Sequence, residues 1–145
     1  MPVLNSINQM LNEMTEWRHD LHKIPEIGLE EYETSKYIKN KLKEFNINFK
    51  DGYSNTGIVA WVDGNKKKNE KTIGLRADFD ALPMPEKNEF DHKSTNKGMM
   101  HACGHDGQTT MLLGAAKLLS LKRILMELCI LYSNLRKKVE VEDLP

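Results

Sequence analysis

Apolar residues recur at three- and four-residue spacing up to Phe45, and beyond it the spacing changes to that of strands. Ile7, Met10, Leu11, Met14, Trp17 and Leu21 trace one stripe of a helix from Asn5 to Lys23, which Pro25 must stop. A second helix fits Leu29 to Phe45, with Tyr32, Tyr37, Ile38, Leu42 and Phe45 on one face and a solvated face rich in lysine and glutamate opposite. Strand-like runs follow, a short one at Ile47 to Phe49 and a better one at Thr56 to Val62, ended by Asp63-Gly64. Asn65 to Lys71 reads as an exposed hairpin tip. Thr72 to Ala77 is a short apolar run of the kind buried inside a sheet. After a loop from Pro83 to Lys97, a last helix runs from Gly107 through Leu119, with Asp106 placed to cap it. Helices, then strands, then a helix predict an α/β layered domain, and 145 residues suffice for one core. Trp17 and Trp61 are expected in that core.

The balance of 21 basic against 21 acidic residues argues against a nucleic-acid or anionic-membrane partner. Two cysteines make no disulfide framework, and a thiol beside histidine suits a reducing compartment. Met1 to Asn12 lacks a basic start followed by an apolar stretch, and no run reaches the ~18 apolar residues of a membrane span. The expectation is a soluble, cytoplasmic protein.

Chemistry concentrates in Met100-His101-Ala102-Cys103-Gly104-His105-Asp106, which holds two imidazoles, a thiol and a carboxylate. Cys103 and His105 stand two apart around a glycine, so a tight turn can aim both at one ion. Thiolate plus neutral imidazole suits zinc, manganese or cobalt better than calcium or magnesium. Two other readings stay open, a buried cysteine beside a helix-capping loop and a Cys103 nucleophile activated by histidine. Asp78 and Asp80, at the end of the Thr72 to Ala77 run, could bind metal, orient a ligand histidine or begin a turn. His19 and His22 read as surface or satisfied histidines.

Three segments, in this order and spacing, resemble the N-terminal part of the metal-dependent N-acyl-amino-acid amidohydrolases. That family includes hippurate hydrolase and the hydrolases of indole-acetic-acid amino-acid conjugates. The segments are Arg18 to Glu26 continuing into Glu30-Glu31-Tyr32-Glu33-Thr34, then Leu75 to Pro83, then Met100 to Asp106. The resemblance spans Trp17 to Leu121. It implies part of a zinc-exopeptidase-like catalytic domain, with helices packed on a mixed sheet. It also implies two divalent metals, manganese or zinc, that share a water, and a small N-acyl amino acid as substrate. Cys103 and His105 match two metal ligands of the family, and Asp80 would be a supporting carboxylate behind them. The family's general base is a glutamate in a later Pro-Ala-Glu-Glu segment, followed by two further ligand histidines. These 145 residues contain neither, nor the inserted dimerisation domain through which the family forms homodimers. Gln108 stands where the family usually has histidine.

The tail, 122–145, departs from the family. Read one frame over, permitted codons for Lys122 to Glu142 spell a peptide containing Gly-Thr-Val-Tyr-Phe-Ile-Phe-Gln-Pro-Ala-Glu-Glu. Met126 followed by Glu127 forces the glycine. The expectation is therefore a truncated amidohydrolase: family sequence over 1–121 and a frameshifted tail, inactive by itself. Its rivals are a non-catalytic fragment that binds a metal or a partner, a cysteine hydrolase using Cys103, and for the tail a divergent helix over Ile124 to Leu135.

Overall fold

The computed structural model describes residues 5–63, 73–122 and 127–132, the last six and Lys122 by backbone only. In chain order these form α1 (Asn5–Asn8), α2 (Leu11–Lys23), α3 (Tyr32–Glu44), β1 (Asn48–Tyr53), β2 (Gly57–Asp63), β3 (Ile73–Ala77), α4 (His105–Lys122) and β4 (Glu127–Tyr132). The four strands make one sheet in the order β1-β2-β4-β3. β1 and β4 run antiparallel to β2, and β3 runs parallel to β4. The sheet is mixed, as expected.

Helix limits follow local chemistry. The first helical stripe is interrupted at Gln9 and Met10, next to Asn5 and Asn8, whose side chains favour turns over helix interiors. α3 starts at Tyr32 rather than Leu29, because Leu29 has φ +75°. Its first free amides are capped from a distance: Glu26 accepts from the backbone N–H of Glu33 at 3.1 Å and of Thr34 at 2.8 Å. The helix ends in a left-handed Asn46 (φ +55°), with Ile47 N–H bonded to Leu42 O and Asn46 N–H to Lys43 O. That is a Schellman closure, and asparagine tolerates its φ.

α2 packs on α4, and α3 and α4 lie against the sheet. Trp17, Ile38, Leu42, Ile58, Phe79, Leu113 and Ala116 are buried together between them. Full burial of side chains such as Leu42 and Phe79 is worth about 1.5–3 kcal/mol each. α2 and α4 meet closely at Gly114, where an added Cβ would lie 2.7 Å from the end of Met14.

Several expectations need correction. β2 and β3 do not form a hairpin, because β4 lies between them. The expected hairpin tip, Asn65 to Lys71, lies outside the described residues. β3 is an edge strand among the described residues; Ile73 is 48% exposed and only Ala77 is buried, so it is no interior strand. Trp61, expected in the core, is half-buried near the end of β2. α4 begins at His105, so Asp106 is a first-turn residue and not the cap. The backbone of 127–132 is extended, which removes the reading of Ile124 to Leu135 as one helix.

Candidate metal site

Three distant segments converge beside β3. The chain leaves β3 at Ala77 and passes between the end of α2 and the Met100 segment. Ala81 N–H bonds Glu26 O at 2.7 Å, and Leu82 and Met100 exchange backbone bonds at 3.0 and 3.1 Å. Short bridges pair Ile27 with Ala81 and Leu82 with Met100. This ladder presents Asp80 to the start of α4. There His105 Nδ1 lies 2.7 Å from Asp80 Oδ1 and 3.0 Å from Asp80 O. Both oxygens accept only, so Nδ1 carries the hydrogen and Nε2 keeps a free lone pair for a ligand. This is the arrangement by which carboxylates orient metal-binding histidines.

Cys103 and His105 flank Gly104, whose φ of +78° a glycine adopts without the strain that a β-carbon would bring. Cys103 is exposed, which removes the reading of a buried structural cysteine. The donor set fits a transition metal: a reachable thiol and an imidazole with its tautomer set by Asp80. Among the described residues, no three or more His, Cys, Asp or Glu side chains converge into a complete cage. Asp78 does not join the pair. Beyond the strand end it turns to Arg76, with Arg76 Nη2 at 2.5 Å from Asp78 Oδ1.

Behind the turn lies a buried ionic network. Asp106 Oδ2 receives His22 Nδ1 at 2.7 Å and Arg18 Nε at 3.1 Å. The other ring nitrogen of His22 lies 3.1 Å from Glu86 Oε1. Glu86 also accepts from the Asn88 side chain and the Ser94 backbone N–H. Burial opposes ionisation of Glu86, but these bonds and His22 outweigh it and hold its carboxyl at about 2. His22 is thus a satisfied buried histidine. His19 stacks on His92 at 3.7 Å between ring centroids, and Phe90 covers His92 at 4.1 Å.

His101 is 5% exposed, and neither ring nitrogen meets a protein partner. Burial pushes its imidazole down to about 4, opposed by Asp106 and aided by His22 and His105. Glu86 and Glu26 were missed from the sequence. Glutamates in a loop carry no periodic signal, and their role depends on residues that only folding brings near.

Comparison with known proteins bears on the family and the fold. Residues 74–127 match the peptidase family M20/M25/M40. The chain is 48% identical over 102 residues to an IAA-amino acid hydrolase (ILR1-like 5) of Arabidopsis thaliana, covering 70% of this chain and 23% of that protein. It is 42% identical over 120 residues to the hippurate hydrolase of Campylobacter jejuni, covering 83% and 31% respectively. The fold superposes on the Bacillus subtilis YXEP protein, described as a dinuclear metal binding peptidase from the M20 family. The TM-score is 0.80 at 34% identity, over 86% of this chain and 35% of that one. The chain thus spans about a quarter to a third of the length of these relatives. With Cys103, His105 and Asp80 set on a matching fold, residues 74–127 carry the match to the peptidase family M20/M25/M40, and the chain folds as part of an M20 catalytic domain.

Proposed function

We propose that this chain carries the first part of a metal-dependent amidohydrolase site that cleaves the amide bond of N-acyl amino acids of the hippurate type. The observation that carries the reading is the 2.7 Å contact from His105 Nδ1 to Asp80, which leaves Nε2 to a metal. Cys103 and His105 are the proposed ligands, and manganese or zinc suits them. Bound divalent ions would supply a water of lowered pKa and polarise the scissile carbonyl. Asp80 would hold the His105 ring in the orientation that presents Nε2 to the ion. The Pro-Ala-Glu-Glu segment that carries the family's glutamate base does not occur in these 145 residues, so the proposed site lacks that proton acceptor.

The proposed cause is a shift of reading frame near codon 122. In the shifted frame, Thr-Val-Tyr-Phe-Ile-Phe spans codons 127 to 133, across the stretch where β4 runs. The nucleotide sequence tests this directly: codons 122 to 142 that do not encode that peptide one frame over would end the idea. The expected activity of the 145-residue chain alone on hippurate is negligible. Robust turnover abolished by Cys103→Ser and by chelation would show that the chain completes a working site. Turnover insensitive to chelators and lost on thiol alkylation would instead favour the cysteine nucleophile, a reading that the exposure of Cys103 keeps open.

A further inference from the structure

The turn that carries Cys103 and His105 is exposed on one side, and on the other it is followed by the buried Asp106. Asp106 directly follows His105, and its side chain is fully buried. Its Oδ2 is gripped by His22 from α2 at 2.7 Å, while Arg18, 42% exposed, reaches the same oxygen from the rim. His22 is itself held at both ends. Nδ1 faces Asp106 Oδ2 and Nε2 faces Glu86 Oε1, so both ring nitrogens are engaged. Glu86 in turn ties down the loop through Ser94 N–H and Asn88. A ring held at both nitrogens by carboxyl groups permits little displacement of any of the three.

We infer that His22 is a positioning residue for the metal-ligand turn, acting through the Nδ1–Asp106 bond to fix where Cys103 and His105 point. This rests on the reading of Cys103 and His105 as ligands. His22 touches neither, so its effect is transmitted: α2 holds Asp106, Asp106 sets the first turn of α4, and that turn sets His105. Outer-shell groups of this kind typically change metal affinity 10–100-fold.

Two near-isosteric substitutions separate positioning from simple stability. In His22→Asn the amide nitrogen falls near the Nδ1 position and can still donate to Asp106, but the bond to Glu86 is lost. In His22→Gln the amide nitrogen falls near Nε2, keeping Glu86 and losing Asp106. The 145-residue chain is titrated with cobalt(II), following the thiolate-to-cobalt absorption band, with Cys103→Ser as control and thermal midpoints recorded for each variant. The expected result is a 10–100-fold weaker cobalt affinity for His22→Gln and a change under about threefold for His22→Asn, whatever the order of their midpoints. Equal losses in both variants, losses that track the midpoints, or wild-type affinity in both would overturn the inference while leaving the ligands in place. A wild-type chain without the band, or a band that survives Cys103→Ser, would overturn the ligand reading and this inference with it.

Discussion

The carboxylate of Asp80 and the imidazole of His105, 25 residues apart in sequence, meet at 2.7 Å where the segment after β3 passes the first turn of α4. Each is about a quarter exposed, with side-chain accessibilities of 26% and 22%. The contact is therefore accessible enough for a ligand to approach, yet ordered by the backbone ladder from Glu26 through Ala81 to Met100.

Removing that carboxylate should free the His105 ring to rotate and to change tautomer. Asp80→Ala is expected to weaken divalent metal binding about 10–100-fold with the fold intact. Calorimetric titration with manganese or zinc checks it; unchanged affinity would strip Asp80 of the supporting role.

Thr56 Oγ1 donates to the buried Glu31 carboxylate at 2.5 Å, and Ser35 Oγ donates to Thr56 O at 2.8 Å, joining the start of α3 to the approach to β2. Thr56→Val keeps the shape and withdraws one partner from a buried carboxyl group. The expected cost is about 1–3 kcal/mol in urea denaturation. A loss no larger than that of an exposed threonine change would mean that the other contacts of Glu31 suffice.

Glu86 has a folded pKa of about 2, depressed below the ordinary value of about 4.3. A depressed carboxyl contributes stability above its unfolded pKa and loses it as pH falls towards the folded value. The chain should therefore lose stability between about pH 4.5 and 2, and Glu86→Gln should flatten that part of the profile. Denaturation midpoints across this window decide it, and parallel profiles would dissociate Glu86 from acid sensitivity.

At Gly114 two terms oppose each other. Alanine favours the helix by about 1 kcal/mol over glycine, while its Cβ would press on the terminal atoms of Met14, which can rotate away. Gly114→Ala should thus change stability by less than about 1 kcal/mol. Gly114→Val adds bulk that the α2–α4 contact cannot absorb and should cost about 1–3 kcal/mol. Thermal melts of both variants test the contrast. Equal midpoints would show that the helices can separate freely there.

Periodicity marked α2, α3, α4, β2 and β3 to within a few residues, because burial of one face repeats every 3.6 or 2 positions and needs no knowledge of partners. The Met100 to Asp106 run likewise stood out as a candidate metal-type site, since it gathers thiol, imidazole and carboxylate within seven residues. What depends on non-local contact was hidden. The insertion of β4 between β2 and β3 moved β3 to an edge, and no local pattern distinguishes an edge strand from an interior one in five residues. Spacing alone left Asp78 and Asp80 equivalent, and only the resemblance singled out Asp80; the end of β3 at Ala77 sent one to Arg76 and the other to His105. His22 read as a surface or satisfied histidine on an amphipathic helix, with nothing to say which partners would satisfy it. Only the packing of α2 against the first turn of α4 placed Asp106 on one ring nitrogen and Glu86 on the other, because a hydrogen bond is decided by angstroms that sequence spacing does not encode.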